Sequence, residues 1–352
     1  MKDLKTTNRL LLVIVIALSF YLLKVLSFIF VPLVFSMFIA LLFLPLMRWL
    51  KNRGVPRVMS IVISLIVFAG VIYGGIEIFA LASREIRNAD PEFFVKAQEK
   101  IAYLITSGQE MLGMPISSQE EAIKDVAEQF KVVDKLGGAF GAVSNLLSMT
   151  LTTIFFTVLW LAESINVQKL LQNFVLRKEF TSVKTFMKIE SELITFVKVK
   201  FLVSLFTGIG FSLACLAFDV SFPIFWGLFA FLINFVQMIG SIISVVCLTV
   251  FALVELDPSG TLLLFVLIIT GVQALFGGII EPVMMGKSFS INVIAILVML
   301  MFWGFIWGIP GMIMSIPITV FIKIILDEFP NTKKIGSLLS GPEIKAPIKL
   351  KK

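Results

Sequence analysis

A handful of polar side chains interrupt long apolar runs. Asn234, Gln237 and Ser241 lie in and just before "FVQMIGS" (Phe235–Ser241), and Gln273, Glu281 and Asn292 follow further on. A polar group held in hydrocarbon is costly unless it is paired or put to use, so such residues are functional candidates. Amides and hydroxyls donate and accept hydrogen bonds without net charge, which suits a small polar solute such as a polyol. The competing role for Asn234, Gln237 and Gln273 is helix–helix hydrogen bonding. Glu281 either caps a helix end or couples transport to a proton or cation. Catalysis is poorly provided for. The chain has no His, which removes the commonest general base and metal ligand. Cys215 and Cys247 lie inside apolar runs, where a thiol behaves as a small hydrophobe. No P-loop, nucleophile elbow or zinc spacing occurs. The sequence points away from an enzyme and calls for no cofactor or metal.

Two broken apolar segments must position these groups. Phe222–Val254 breaks at Phe235–Ser241, and Ser290–Leu326 breaks at "WGFIWGIPGM" (Trp303–Met312). Laid over each other at an offset of 70, they match Phe235 with Phe305, Ile239 with Ile309 and Ile243 with Ile313. Thr249-Val250-Phe251 then falls on Thr319-Val320-Phe321. Paired, interrupted hydrophobic segments are the sequence pointer to a transporter's substrate site. Neither break carries a charge. Gly240 and Ser241 in the first, and Gly308, Pro310 and Gly311 in the second, predict hairpin tips held inside protein. Irregular backbone is tolerated at membrane depth only where protein buries it or water lines it, and small residues let such tips pack closely. The candidate substrate-binding set is therefore Asn234, Gln237, Gly240, Ser241, Gln273, Asn292, Gly308, Pro310 and Gly311, with Glu281 as the coupling residue.

The rest of the chain reads as an all-α polytopic membrane protein. Hydrophobic residues make up 58% of the 352, and several runs approach the roughly 20 apolar residues that span a bilayer. The net charge of +7 comes from basic residues beside apolar segments, a positive-inside pattern rather than a nucleic-acid surface. Residues 1–82 predict a helical hairpin broken at Pro32, with Lys24 near its tip, then the basic loop Arg48–Arg57 and a crossing from Val58 to Ala82. No separate signal peptide is expected. Residues 83–145 predict a small extracytoplasmic helical insertion, and 146–200 a crossing followed by a cytoplasmic amphipathic helix from Glu163 to Lys200. Residues 201–328 predict a transport core in which crossing helix plus re-entrant hairpin repeats in inverted topology. Residues 329–352 form a basic cytoplasmic tail. Both termini then face the cytoplasm.

Four stretches carry a resemblance: Pro32–Arg57, Phe231–Ser241, Ile280–Asn292 and Trp307–Phe329. With Glu281, Pro282 and Gly286 in a Glu-Pro-x-x-x-Gly element, and a Gly-x-x-Gly-like turn before Pro317, they resemble the autoinducer-2 exporter family of prokaryotic membrane proteins. Where that family usually carries Pro-Tyr in the first turn, this chain has Gln237-Met238. The resemblance implies a homo-oligomer, a pentamer, in the cytoplasmic (inner) membrane. It implies export of a small polar solute such as autoinducer-2, or exchange of sodium or lithium for protons. Three classes remain in view: a secondary exporter working by alternating access, a monovalent cation/proton antiporter, and a non-transporting scaffold or receptor built on 83–145. The topology has a direct check. A Cys placed at Gln109 should react with an impermeant thiol reagent only from the extracytoplasmic side, and labelling only from the cytoplasm would overturn the arrangement.

Overall fold

The computed structural model of the chain describes residues 2–88, 99–100, 103, 106, 149–162, 180–256, 260–285, 292–328, 332, 336 and 339. Every regular element among them is helical: α1 (Lys2–Val25), α2 (Ser27–Asn52), α3 (Arg57–Arg87), α4 (Met149–Ala162), α5 (Phe180–Ala217), α6 (Pro223–Ile233), α7 (Ile239–Glu255), α8 (Gly260–Met285), α9 (Val293–Trp307) and α10 (Ile309–Glu328). Among the described residues, six apolar stretches are long enough to cross a membrane: Thr6–Val25, Ser27–Asn52, Val58–Arg87, Glu190–Ala217, Gly260–Met285 and Ile309–Asp327. The expected insertion over 83–145 and the basic tail lie almost wholly outside the described residues. The helix expected to end at Lys200 and the crossing expected to start at Phe201 are one uninterrupted helix, α5. No glycine or proline punctuates that boundary, so nothing stops the helix there.

The chain forms two compact units. One holds residues 1–67, 149–200 and 283–352, the other 68–148 and 201–282. Each contains one of the two broken segments as a pair of antiparallel helices. In the second unit α6 and α7 are joined by Asn234–Met238, and in the first α9 and α10 are joined by Gly308 alone. The first arms begin at Pro223 and Val293 and the second arms at Ile239 and Ile309, so the offset of 70 governs element starts as well as residue types. The hairpins differ in where the first arm stops: α9 winds on through the residues that form the turn after α6.

Glycine closes both tips. A β-carbon on Gly240 would overlap the carbonyl oxygen of Ile233, and one on Gly311 would overlap that of Trp303. In each case the second arm presses its first turn against the first arm's backbone, which only a residue without a side chain allows. Gly308 adds a φ of 65°, in the region that favours glycine. Its N–H donates to the Gly304 carbonyl (2.8 Å) and its carbonyl accepts from Met312 N–H (3.0 Å). The reversal therefore leaves few bare backbone groups.

In the second unit, Phe211, Cys215, Ala230, Leu248, Ala252, Phe265 and Ile269 are fully buried together and hold α5, α6, α7 and α8. Helices α5 and α6 meet through small residues, since a β-carbon on Gly208 would stand 2.6 Å from the Gly227 carbonyl oxygen. Ser212 donates to the Pro223 carbonyl (2.6 Å). The start of α6 lacks an acidic residue of its own. Glu85 of α3 supplies one, accepting from Ile224 N–H (3.2 Å) and Phe225 N–H (3.0 Å), and Glu255 accepts from Ser221 N–H (2.7 Å). Carboxylates here satisfy orphan donors at the positive end of a helix dipole.

In the first unit, Trp303, Ile306 and Trp307 of α9 pack with Val31 of α2, while Ile316, Val320 and Ile324 of α10 pack with Phe196. Trp307 Nε1–H donates to the Leu23 carbonyl (2.9 Å). The N-terminal pair does not break at Pro32. It breaks at Leu26, and Pro32 lies inside α2, buried beside Val31. Proline there forfeits one backbone hydrogen bond, and packing of the flanking face keeps the helix going. Lys24 has no carboxylate beside it among the described residues. Its ammonium sits 3.7 Å from the Phe305 ring centroid, a cation–π contact.

The tip geometry predicts that Gly240→Ala and Gly311→Ala each destabilise the protein by more than the roughly 1–3 kcal/mol of ordinary overpacking. Gly271→Ala, whose β-carbon would meet nothing within 4 Å, should be neutral. Thermal unfolding in detergent measures all three. A parental Tm for Gly240→Ala would show that the tip relaxes freely.

Candidate functional site

Three of the predicted residues come together at the first hairpin tip. Asn234 caps the C-terminus of α6 and is 1% exposed. Its Nδ2 donates to Ser204 Oγ of α5 (3.1 Å). Its Oδ1 accepts from Ser241 Oγ of α7 (3.3 Å) and from Gln273 Nε2 of α8 (3.1 Å). Gln273 Nε2 also donates to Ser241 Oγ. Four helices thus each contribute one side chain to a buried, uncharged hydrogen-bond network. Its orientation is fixed from one end: Ser204 holds the amide nitrogen of Asn234, which turns the oxygen toward the other two.

The network is not complete in itself. Among the described residues, Gln273 Oε1 is buried without a hydrogen-bond partner, and so is Thr207 Oγ1, one turn along α5 from Ser204. A buried acceptor left unmade costs about 1–3 kcal/mol, which any donor brought to Gln273 would recover.

Gln273 is also where α8 changes its winding. Residues Ala274–Ile280 form a π-helical turn, a rare geometry that recurs at functional sites. Gly277 lies within it. A β-carbon there would stand 3.2 Å from Gln273 Nε2 and 3.9 Å from Ser241 Oγ, so the glycine leaves the space beside the network open. Glu281 follows the π turn directly and is buried. Gln273 and Glu281 therefore bracket the one segment of α8 that departs from α-helical register.

The other predicted residues take different places. Gln237 is half-buried in the turn, its carbonyl accepting from Ile239 N–H (2.7 Å). Next to it Met238 carries a φ of 61°, a strained position for a residue with a side chain. Gly240 closes the tip rather than presenting a polar group. Asn292, Gly308, Pro310 and Gly311 belong to the other unit. There Asn292 is a helix cap: its side chain accepts from Ile294 N–H (3.0 Å) and its own N–H donates to the Leu339 carbonyl (3.0 Å).

Sequence reasoning misses Ser204, Thr207, Gly277 and Glu85. A signal exists for the first two, a pair of hydroxyls three residues apart inside an apolar crossing and hence on one helix face. None exists for Gly277, because a π turn leaves no pattern that separates it from an ordinary apolar helix. Glu85 reads as part of a polar insertion, whereas it closes the N-terminus of α6.

Comparison with known proteins supplies the context. The family model for the AI-2E family transporter matches residues 10–331. The AI-2 transport protein TqsA of Escherichia coli K12 is 26% identical over 357 residues, covering 96% of this chain and 98% of TqsA. A Haemophilus influenzae protein described as a candidate transport protein is 27% identical over 320 residues, covering 89% of this chain and 90% of that one. YhhT of Escherichia coli K12, described likewise, is 27% identical over 317 residues, covering 89% and 88%. With its multiple apolar helices and a match over nearly its whole length, this chain belongs to the AI-2E transporter family of bacterial membrane proteins, and its role is membrane transport.

Proposed function

We propose that the chain is a secondary transporter that exports a small, uncharged polar solute by alternating access, with the Asn234–Ser241–Gln273 network as its solute site. One observation carries this: a buried, charge-free cluster at a helix break retains an unpaired acceptor in Gln273 Oε1. A hydroxyl-rich solute brings the donor that acceptor lacks, whereas an anion would bring only more acceptors. Autoinducer-2, the solute in the name of TqsA, is the proposed cargo.

In this proposal the two hairpins are re-entrant and form the halves of an inverted repeat, each led by a crossing helix, and the protein works as a homo-oligomer with both termini in the cytoplasm. The π turn of α8 is the moving part. It holds one residue more per turn than an α-helix, so its conversion shifts everything beyond it by one residue, about 100° and 1.5 Å. That movement would link the solute network at Gln273 to Glu281. A buried carboxylate at the far end of the same turn also supports a second reading, exchange of a monovalent cation for a proton.

Flux in proteoliposomes with and without a pH gradient separates the readings. Asn234→Ala removes the acceptor shared by Ser241 and Gln273 together with the donor to Ser204, and should lower solute flux by about tenfold or more, in line with the loss of three buried hydrogen bonds. Gly277→Ala narrows the space beside Gln273 and should raise KM while the protein still folds. Glu281→Gln should leave solute flux running but uncoupled from the pH gradient. Sodium-driven proton movement with no solute flux would favour antiport. Parental flux in Asn234→Ala would remove the network from the pathway.

A further inference from the structure

The turn between α2 and α3 lies at the end of a long apolar helix and carries an unusual surface. From Arg48 to Arg57 the sequence has four basic residues and no acidic one. Arg48 is committed, because its guanidinium pairs with Glu190 of α5. Lys51 and Arg53 are exposed. The Arg53 guanidinium carbon lies 4.0 Å from the Trp49 ring centroid, and the indole beneath it is itself 51% exposed. On the other side of the turn, Val58 and Met59 at the start of α3 are 71% and 56% exposed.

We propose that this turn binds an anionic phospholipid, with Lys51 and Arg53 on the headgroup phosphate and Trp49, Val58 and Met59 against the glycerol and upper acyl chain. Three features favour a lipid over a soluble phosphate. The basic groups stand at the boundary of an apolar helix, where a headgroup is present at high local concentration. The exposed indole has the amphipathic character of residues that settle at the headgroup level. The apolar flank of Val58 and Met59 offers nothing to a free ion but matches an acyl chain.

Local geometry keeps the surface attractive to an anion. A helix C-terminus is ordinarily its negative end. At the end of α2 the chain folds back through Gly54, with φ of 81°. Gly54 N–H then donates to the Lys51 carbonyl (3.0 Å) and Val55 N–H to the Leu50 carbonyl (3.2 Å). These bonds occupy carbonyl oxygens that would otherwise face the phosphate. Stacking on Trp49 holds the Arg53 guanidinium face while its N–H edge stays free to donate in the bidentate manner suited to phosphate.

The test uses the full chain, purified in detergent. It is titrated with phosphatidylglycerol or phosphatidylcholine of identical brominated acyl chains, and quenching of indole fluorescence is compared with a Trp49→Phe control. Each basic residue near a membrane surface contributes about fivefold in affinity. Phosphatidylglycerol should therefore bind roughly 25-fold tighter than phosphatidylcholine, with the phosphatidylglycerol-specific part of the quenching lost in the Trp49→Phe control. In a Lys51→Gln/Arg53→Gln variant the preference should vanish. In the unaltered protein it should also weaken as salt rises from about 50 to 500 mM, because screening acts on exposed charges. The salt arm does not depend on how the double variant folds. Equal binding of the two lipids overturns the proposal, as does a preference that survives the double substitution or is indifferent to salt. Displacement of phosphatidylglycerol by millimolar inorganic phosphate would mark a phosphate site and not a lipid one, and overturns it too.

Discussion

A broken helix leaves amides and carbonyls that must find partners, and both hairpins of this chain are shaped by that constraint. Each must reverse direction while keeping its amides and carbonyls paired. The second does so in a single residue, Gly308, whose neighbours carry on the hydrogen-bond ladder on either side. The first takes five residues, and there Asn234, Phe235, Val236, Ile239 and Gly240 still donate their amides to backbone carbonyls. Asn234 stands at the break, and Ser204, Ser241 and Gln273 complete its bonding from three other helices. Backbone bonds thus close the turn in both units, and the first turn adds a side-chain network. That network carries a buried acceptor, Gln273 Oε1, with no partner among the described residues.

The polar centre depends on elements some distance away. Helix α6 has only Pro223–Ile233 to work with, too short to be stable alone. It is held at its start by Glu85 and Glu255 and along its length by the fully buried Ala230, Leu248 and Phe265. Placing Asn234 therefore relies on α3, α5, α7 and α8 together.

How much of this is legible in the sequence depends on the kind of signal. The helical, membrane-spanning character is plain, because an apolar run of bilayer length has little use in water. The hairpin breaks are visible as Gly and Pro within those runs, and the offset of 70 locates both arms of both hairpins. Asn234, Ser241 and Gln273 are found by type alone, since amides stand out against Leu, Ile and Phe. Asn292 is equally conspicuous but serves as a cap; a lone Asn before an apolar run fits both roles, and only its bond to Ile294 N–H decides between them. The break at Leu26 is misplaced to Pro32 by sequence reasoning, because proline signals a lost hydrogen bond and not by itself the end of a helix. Ser204 and Gly277 escape it because a hydroxyl and a glycine are common in membrane helices and gain meaning only from what lies opposite.

The contact between α5 and α6 has a mechanical consequence. At Gly208 and Gly227 the two helices touch main chain to main chain, with the Ser212 and Phe231 side chains beside the contact. Interdigitated surfaces behave like meshed gears: displacement requires every tooth to clear its groove. Bare peptide against bare peptide has a smoother energy profile and resists sliding far less. At this point the short arm that carries Asn234 bears on α5 through main chain, so its tip owes its place to hydrogen bonds from Ser204, Ser241 and Gln273 more than to meshed side chains.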